Sequence, residues 1–211
     1  MTSELAATAG LGLYILGVLV TFGVRTWAHQ QATGSSGFRR LSGPPGSAPW
    51  WGGVLFAAAL VLTALGLILA ATGTVPAAPL PAAAVWAGLA VALTGFATVV
   101  LAQSGMGTSW RIGVDPTERT ALITGGPFAI VRNPIFTAMS TALAGLVVAT
   151  PNVLTAAGLV CLVVAVQLQV RVVEEPYLLA THGKTYAAYA ARVGRFVPGA
   201  GRLHTSNPVV R

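Results

Sequence analysis

Of 211 residues, 55% are hydrophobic and 8% are charged, where a soluble domain carries roughly a quarter charged residues; mean hydropathy is +0.75. These values exclude a disordered chain, which is polar and charge-rich, and an ordinary soluble globule, because 17 charged side chains (12 Lys+Arg, 5 Asp+Glu) cannot solvate that much apolar surface. The chain reads as one membrane-embedded domain. The net charge of +7 would suggest nucleic acid in a soluble protein, but membrane topology accounts for it here. A single cysteine, Cys161, excludes an intrachain disulfide, and no Cys/His cluster has the spacing of a metal site.

Two long stretches lack any Asp, Glu, Lys or Arg: 70 residues from Leu41 to Trp110 and 38 from Asn133 to Val170. A membrane helix needs about 20 mostly apolar residues, so each stretch holds two spans. Proline and glycine divide them. In chain order the expected spans are Leu5–Val24, Trp50–Ala71, Ala82–Gln103, Ile135–Thr150 and Val153–Val173. The fourth is short, which implies tilt or a start upstream that Pro134 interrupts. The first lacks the basic flank of a signal peptide, since Glu4 is the one charge before it, and it reads as retained. The Gly/Ser/Pro-rich segment Gln31–Pro49 reads as a mobile loop, and the end from Gly199 as an irregular tail. The expected organisation is therefore a single all-α domain over 1–211. Three spans lie in 1–104 with a loop at 25–49, two spans and polar segments fill 105–198, and 199–211 forms the tail.

The basic residues fall on one side of this five-span arrangement. Arg25, Arg39 and Arg40 follow span one; Arg111, Arg119 and Arg132 lie between spans three and four; Arg171, Lys184, Arg192, Arg195, Arg202 and Arg211 follow span five. By the positive-inside rule that side is cytoplasmic, with the N-terminus out and the C-terminus in, as a multi-pass protein of the cell membrane. Anionic lipid headgroups suffice as partners for these loops, and no nucleic acid is expected. No internal repeat is evident, and oligomeric state cannot be read.

Polar chemistry concentrates in two segments of this basic side, where ionisable groups beside a span are costly and often functional. The first runs from Gly105 to Phe136. Asp115-Pro116-Thr117-Glu118-Arg119 reads as a turn, and Thr124-Gly125-Gly126-Pro127 as a second turn whose glycines permit close approach of a ligand. Arg132-Asn133-Pro134 then enters span four. There, either carbonyls freed by the proline receive a polar ligand, or Arg132 snorkels and Pro134 starts a helix. The second segment runs from Arg171 to Pro198. Arg171, Glu174, Glu175 and His182 share helical spacing, and Pro176 suggests a helix junction at the two acids, near N–H groups that favour anions. They either bind a ligand or form an ion pair that anchors the helix. Tyr177, Tyr186, Tyr189 and Phe196 alternate with Lys184, Arg192 and Arg195 as in an amphipathic helix with an aromatic belt; the sharper alternative is an aromatic lid. No nucleophile–histidine dyad, P-loop or G-x-G-x-x-G motif occurs.

In order and spacing the two segments resemble the integral-membrane methyltransferases of the isoprenylcysteine carboxyl methyltransferase and phospholipid methyltransferase superfamily. The residues that carry the resemblance are Leu122-Ile123-Thr124-Gly125-Gly126-Pro127-Phe128, then Arg132-Asn133-Pro134-Ile135-Phe136. They continue, after a hairpin, with Glu174-Glu175, His182-Gly183-Lys184-Thr185-Tyr186-Ala187-Ala188-Tyr189, Val193 and Pro198. Asn133 stands where the family has His, Phe136 where it has Tyr, and His182 where it has Phe. The resemblance covers roughly 105–198.

The resemblance implies methyl transfer from S-adenosylmethionine, with S-adenosylhomocysteine as product, to a lipophilic or lipid-linked acceptor at the cytoplasmic interface. The family's cofactor contacts correspond to Thr120, Leu122, Ile123, Phe128, Arg132, Asn133, Pro134, Ile135, Phe136, Glu174 and Glu175. Glu174 would pair with the cofactor's ammonium or a hydroxyl group, and Arg171 stands nearest to the family's substrate-side arginine; these two are the expected catalytic residues. No metal is expected. Two alternatives remain: an NADPH-dependent reductase resembling the steroid 5α-reductase group, and a non-enzymatic membrane scaffold.

Overall fold

In hydrocarbon a backbone must satisfy its own polar groups, so uncharged stretches of this length form helices. The computed structural model describes residues 2–34, 43–106 and 121–203. Five helices follow in chain order: α1 (Ser3–Thr33), α2 (Ala48–Ala71), α3 (Ala82–Met106), α4 (Pro134–Ala149) and α5 (Val153–Arg192). No strand occurs among the described residues. The all-α reading and the five apolar helices are as the sequence indicated. Four of them are long and apolar enough to cross a membrane, and α4 is the shorter apolar one.

Polar residues at the boundaries set the starts. The Thr2 hydroxyl accepts from the Leu5 N–H at 3.2 Å, and the Ser47 hydroxyl from the Trp50 N–H at 3.4 Å. Asn152 begins α5 with a capping box: its Oδ1 accepts from the N–H groups of Leu154 and Thr155, and the Thr155 hydroxyl accepts from the Asn152 N–H. Such a cap satisfies donors that the first helical turn leaves open.

Helices α1 and α5 run past the expected span ends. Helix α1 continues through Thr33, so the loop expected over 25–49 begins later, and α2 starts at Ala48. Helices α1 and α5 each contain one π turn, Leu19–Val24 in α1 and Gln169–Glu174 in α5. In α5 the Glu175 N–H bonds to the Val170 carbonyl, five residues back. This wide turn accommodates Pro176, whose ring and missing N–H would break a regular helix. The helix junction expected at the two acids is therefore absent as a free N-terminus. The true break comes at Gly183, with φ 50° and ψ −125°, a conformation open to glycine.

The interior combines large side chains such as Leu67, Leu146 and Leu162 with many small residues. Small residues face inward: Gly52, Ala59, Thr63 and Gly66 on α2, and Gly88, Ala92 and Gly95 on α3. Other large apolar side chains face outward, among them Leu16 (60% exposed), Leu93 (58%) and Leu101 (65%). Lipid tails are as apolar as leucine, so small residues that allow close backbone contact matter more to membrane helix association than in water. The most extensive contact is α3 on α4, followed by α2 on α5. A Cβ at Gly88 would stand 2.7 Å from both the Ala149 nitrogen and the Gly145 carbonyl oxygen. Gly88→Leu should force α3 from α4 and lower stability by about 1–3 kcal/mol or more. A thermal melt in detergent checks this; an unchanged midpoint would contradict the packing.

Every described Lys and Arg lies toward one end of the bundle, where α1 and α3 end and α4 begins; the opposite end carries Glu4. Exposed Trp27 and Trp51 mark the basic end and Trp86 the other, as interfacial belts do. The candidate site lies at the basic end.

Candidate functional site

The sequence separates Arg132 from Glu175 by 43 positions, and the fold joins them. Between the turn Gly126–Ala129 and Pro134, the chain crosses beneath the second half of α5. There Val131 pairs with Gly194 as an isolated parallel bridge. The Arg132 N–H donates to the Gly194 carbonyl at 2.8 Å and the Asn133 N–H to the Arg195 carbonyl at 3.1 Å. Residues 193–203 thus form a strap across the mouth of α4. Leu203 N–H closes the strap onto the Ala190 carbonyl, so the irregular tail is tied down as far as Leu203.

Under the strap sits a three-charge cluster. Arg132 donates through NH2 to Glu175 Oε1 at 2.5 Å, to the Gly201 carbonyl at 3.1 Å, and through NH1 to the Ala190 carbonyl at 2.7 Å. Arg195 holds the same carboxylate bidentately, Nε to Oε1 at 2.8 Å and NH2 to Oε2 at 2.9 Å. The side chains of Arg132 and Glu175 are 1% and 8% exposed. Burial makes the pairing obligatory, since a lone buried charge is very costly. The hydrogen bond to Glu175 raises the Arg195 pKa above its ordinary value, outweighing desolvation.

The expected site residues divide into three groups. Arg132 and Glu175 come together but face each other and the protein. An ion pair does anchor the helix, with Arg132 and Arg195 as partners in place of Arg171. Asn133 caps α4 without a side-chain cap bond and donates Nδ2 to the Arg195 carbonyl at 3.0 Å. A carboxamide N–H here does what an imidazole N–H could also do. Pro134 occupies the first turn of α4, and Ile135 and Phe136 pack against the main core. Glu174 is half-buried in the π turn and accepts from Gln169 Nε2 at 3.4 Å. Arg171 is exposed and donates to Gln167 Oε1 at 2.7 Å, away from the cluster.

The remaining expected contacts lie on the other flank. Leu122 packs on a small core of Tyr186, Tyr189 and Ala190, and Ile123 beside it is half-buried. Phe128 is buried, and its carbonyl accepts the Tyr189 hydroxyl at 2.6 Å. Tyr186 and Tyr189 are thus core residues, not the aromatic belt that their spacing suggested: the break at Gly183 redirects the helix and turns them inward. Tyr189→Phe should cost about 1–3 kcal/mol by stranding the Phe128 carbonyl, read as a lowered melting midpoint. Gly126 has φ 57°, and a Cβ on it or on Gly125 would meet nothing within 4 Å. Thr120, the turn Asp115-Pro116-Thr117-Glu118-Arg119, and Arg39, Arg40, Arg111, His204 and Arg211 lie outside the described residues.

Between α3 and α4 a groove of about 190 Å³ reaches Pro127, Ile130, Val131 and Pro134. Its four threonines turn their hydroxyls to backbone carbonyls: Thr94 to Ala90, Thr98 to Thr94, Thr141 to Thr137, and Thr137 to Asn133 and Phe196. The lining is therefore almost entirely carbon. Among the described residues no group of His, Cys, Asp and Glu could hold a metal ion. Arg195, Thr137 and Tyr189 are the residues that sequence reasoning missed in these roles. Their partners lie about 60 positions away or in another element, and no local spacing signals such pairs.

Apolar helices long enough to span, with an ordered polar cluster at one end, define a multi-pass membrane protein. Residues 83–185, just under half of the chain, match the family described as phospholipid methyltransferase. That match assigns this segment to the superfamily of isoprenylcysteine carboxyl and phospholipid methyltransferases, and it supports a membrane methyltransferase. No curated protein and no solved structure matches the chain.

Proposed function

We propose that the protein transfers a methyl group from S-adenosylmethionine to a lipophilic or lipid-linked acceptor at the cytoplasmic face of a membrane. The match of residues 83–185 to phospholipid methyltransferases carries this reading. Its support in the geometry is the Arg132–Glu175 contact, which brings together the two polar segments that the resemblance requires.

Side chains of the two polar segments carry the chemistry that such a donor needs. The donor is a cation with ribose hydroxyls and a flat base. Glu174 offers a carboxylate to the ammonium or a hydroxyl group, Asn133 its Oδ1, and the half-buried Leu122 and Ile123 apolar surface. When bound, S-adenosylmethionine would supply a sulfonium methyl, an electrophile whose carbon an acceptor lone pair attacks in line while the S–CH3 bond breaks and S-adenosylhomocysteine leaves. The chain's own residues then have to align two molecules and exclude water, so the absence of a nucleophile–base dyad is no objection. With a carboxylate acceptor, Arg171 holds the anion and orients one oxygen. With an amine or thiol, a carboxylate or water accepts the proton that the acceptor loses. The carbon-lined groove between α3 and α4 favours an acceptor that approaches from the bilayer side, while a water-soluble donor approaches from the basic end.

The test is titration calorimetry of the detergent-purified protein with S-adenosylmethionine. Heat of binding is expected, and silence at millimolar donor would end the reading. Thermal protection by NADPH without protection by S-adenosylhomocysteine would move the protein to the reductase class.

A further inference from the structure

We propose that Arg132, Glu175 and Arg195 are positioning residues: a buried clamp that fastens the 193–203 strap to the mouth of α4 and thereby sets Asn133 and Glu174 for the donor. The last clause rests on the functional reading above. The clamp itself does not.

The hydrogen bonds decide between ligand and clamp. Glu175 spends both oxygens on protein, Oε1 on two guanidinium groups and Oε2 on one. Arg132 spends NH1 and NH2 on Glu175 and on the carbonyls of Ala190, Val193 and Gly201. Arg132 Nε is buried without a partner, but every hydrogen bond that the two groups make is to protein, and a buried pair with such geometry cannot release one partner cheaply. Three pieces of chain meet on one carboxylate: the entry to α4, the turn after the π segment of α5, and the strap.

Two neighbours inherit their positions from this junction. Asn133 follows Arg132, and both its N–H and its Nδ2 hold the Arg195 carbonyl. Asn133 therefore moves with the residue that grips Glu175. Glu174 precedes Glu175, and successive helical side chains point about 100° apart. Fixing Glu175 against the arginines fixes the direction of Glu174. One acid of the adjacent pair is structural, and the other is the candidate donor contact.

The experiment uses full-length protein in lipid nanodiscs. It combines hydrogen exchange over 130–137 and 190–203 with S-adenosylmethionine calorimetry, for Glu174→Gln, Glu175→Gln, Arg195→Gln and Arg195→Lys. Glu175→Gln and Arg195→Gln are expected to speed exchange in both segments and to weaken donor binding by roughly tenfold. Arg195→Lys keeps one ion pair and should recover most of both. Glu174→Gln should weaken the donor with exchange unchanged, and adding Glu175→Gln to it should cost little more, because both act through one carboxylate. Additive losses would refute the positioning role. Wild-type exchange in Glu175→Gln and Arg195→Gln would refute the clamp. If Glu175→Gln misfolds, the partly exposed Arg195→Gln carries the test. If the wild type binds no donor, the functional reading falls and the exchange data still decide the clamp.

Discussion

Replacing Glu174 with glutamine should weaken S-adenosylmethionine binding by about 10- to 100-fold, the worth of one hydrogen bond to a charged group. Melting temperature should barely move, because Glu174 is half-buried and glutamine keeps the size of the side chain and its capacity to hydrogen-bond. Arg171→Ala should behave differently. Its side chain is exposed and bonded to Gln167, so donor affinity should stay within about twofold, as for surface changes of a few tenths of a kcal/mol. What should fall is turnover with an anionic acceptor, through a raised KM. Calorimetry separates the two, since it needs no acceptor. Equal loss of donor affinity in both variants would contradict the division of roles.

The second large effect concerns stability. Glu175→Ala removes the carboxylate that neutralises Arg132, a residue 5% exposed. An uncompensated buried guanidinium costs about 3–5 kcal/mol. The expected outcome is a melting midpoint lowered by many degrees, or protein that fails to purify as a monodisperse species. Changing Arg132 to Met and Glu175 to Leu together should restore much of that loss, because an apolar pair of similar size bears no desolvation penalty. A double variant no better than Glu175→Ala would mean that the hydrogen bonds of Arg132 to the strap carbonyls, or the carboxylate that Arg195 loses in both variants, hold the fold, not the charge of Arg132 alone.

The helices were legible because length without charge is a physical requirement of hydrocarbon, and Pro76, Pro81, Pro134 and Pro151 lie where chains in bilayers end or begin a span. Agreement at Ala71, Ala82 and Val153 comes from such punctuation. The overruns were not legible, since apolarity marks where a helix meets lipid and not where its hydrogen bonding stops. Thr33 and Arg192 therefore lie beyond any hydropathy boundary. Pro176 misled for a related reason: proline forbids the regular ladder, and the sequence does not announce the wide turn that avoids it. In the site, proximity of the two polar segments followed from their sharing one side of the bundle. The choice of partners did not. Arg195 reads like any interfacial arginine until the strap folds back, and Tyr186 and Tyr189 read as headgroup aromatics until Gly183 turns them inward. Which of two adjacent acids is spent on structure depends on helix phase, which the π turn alters.

That alteration reaches across the whole of α5. A π turn takes up one residue more than regular helix would, so the register of side chains beyond Glu174 is offset by one position from that before Gln169. A straight helix through the same sequence would swing Glu175 by about 100°, away from Arg132, and offer a neighbour in its place. The half of α5 that packs on α2 and the half that meets the strap are thus set out of phase, with Gln169–Glu174 as the gear between them. Hydrophobic spacing carried from one half into the other names the wrong face unless the extra residue is counted.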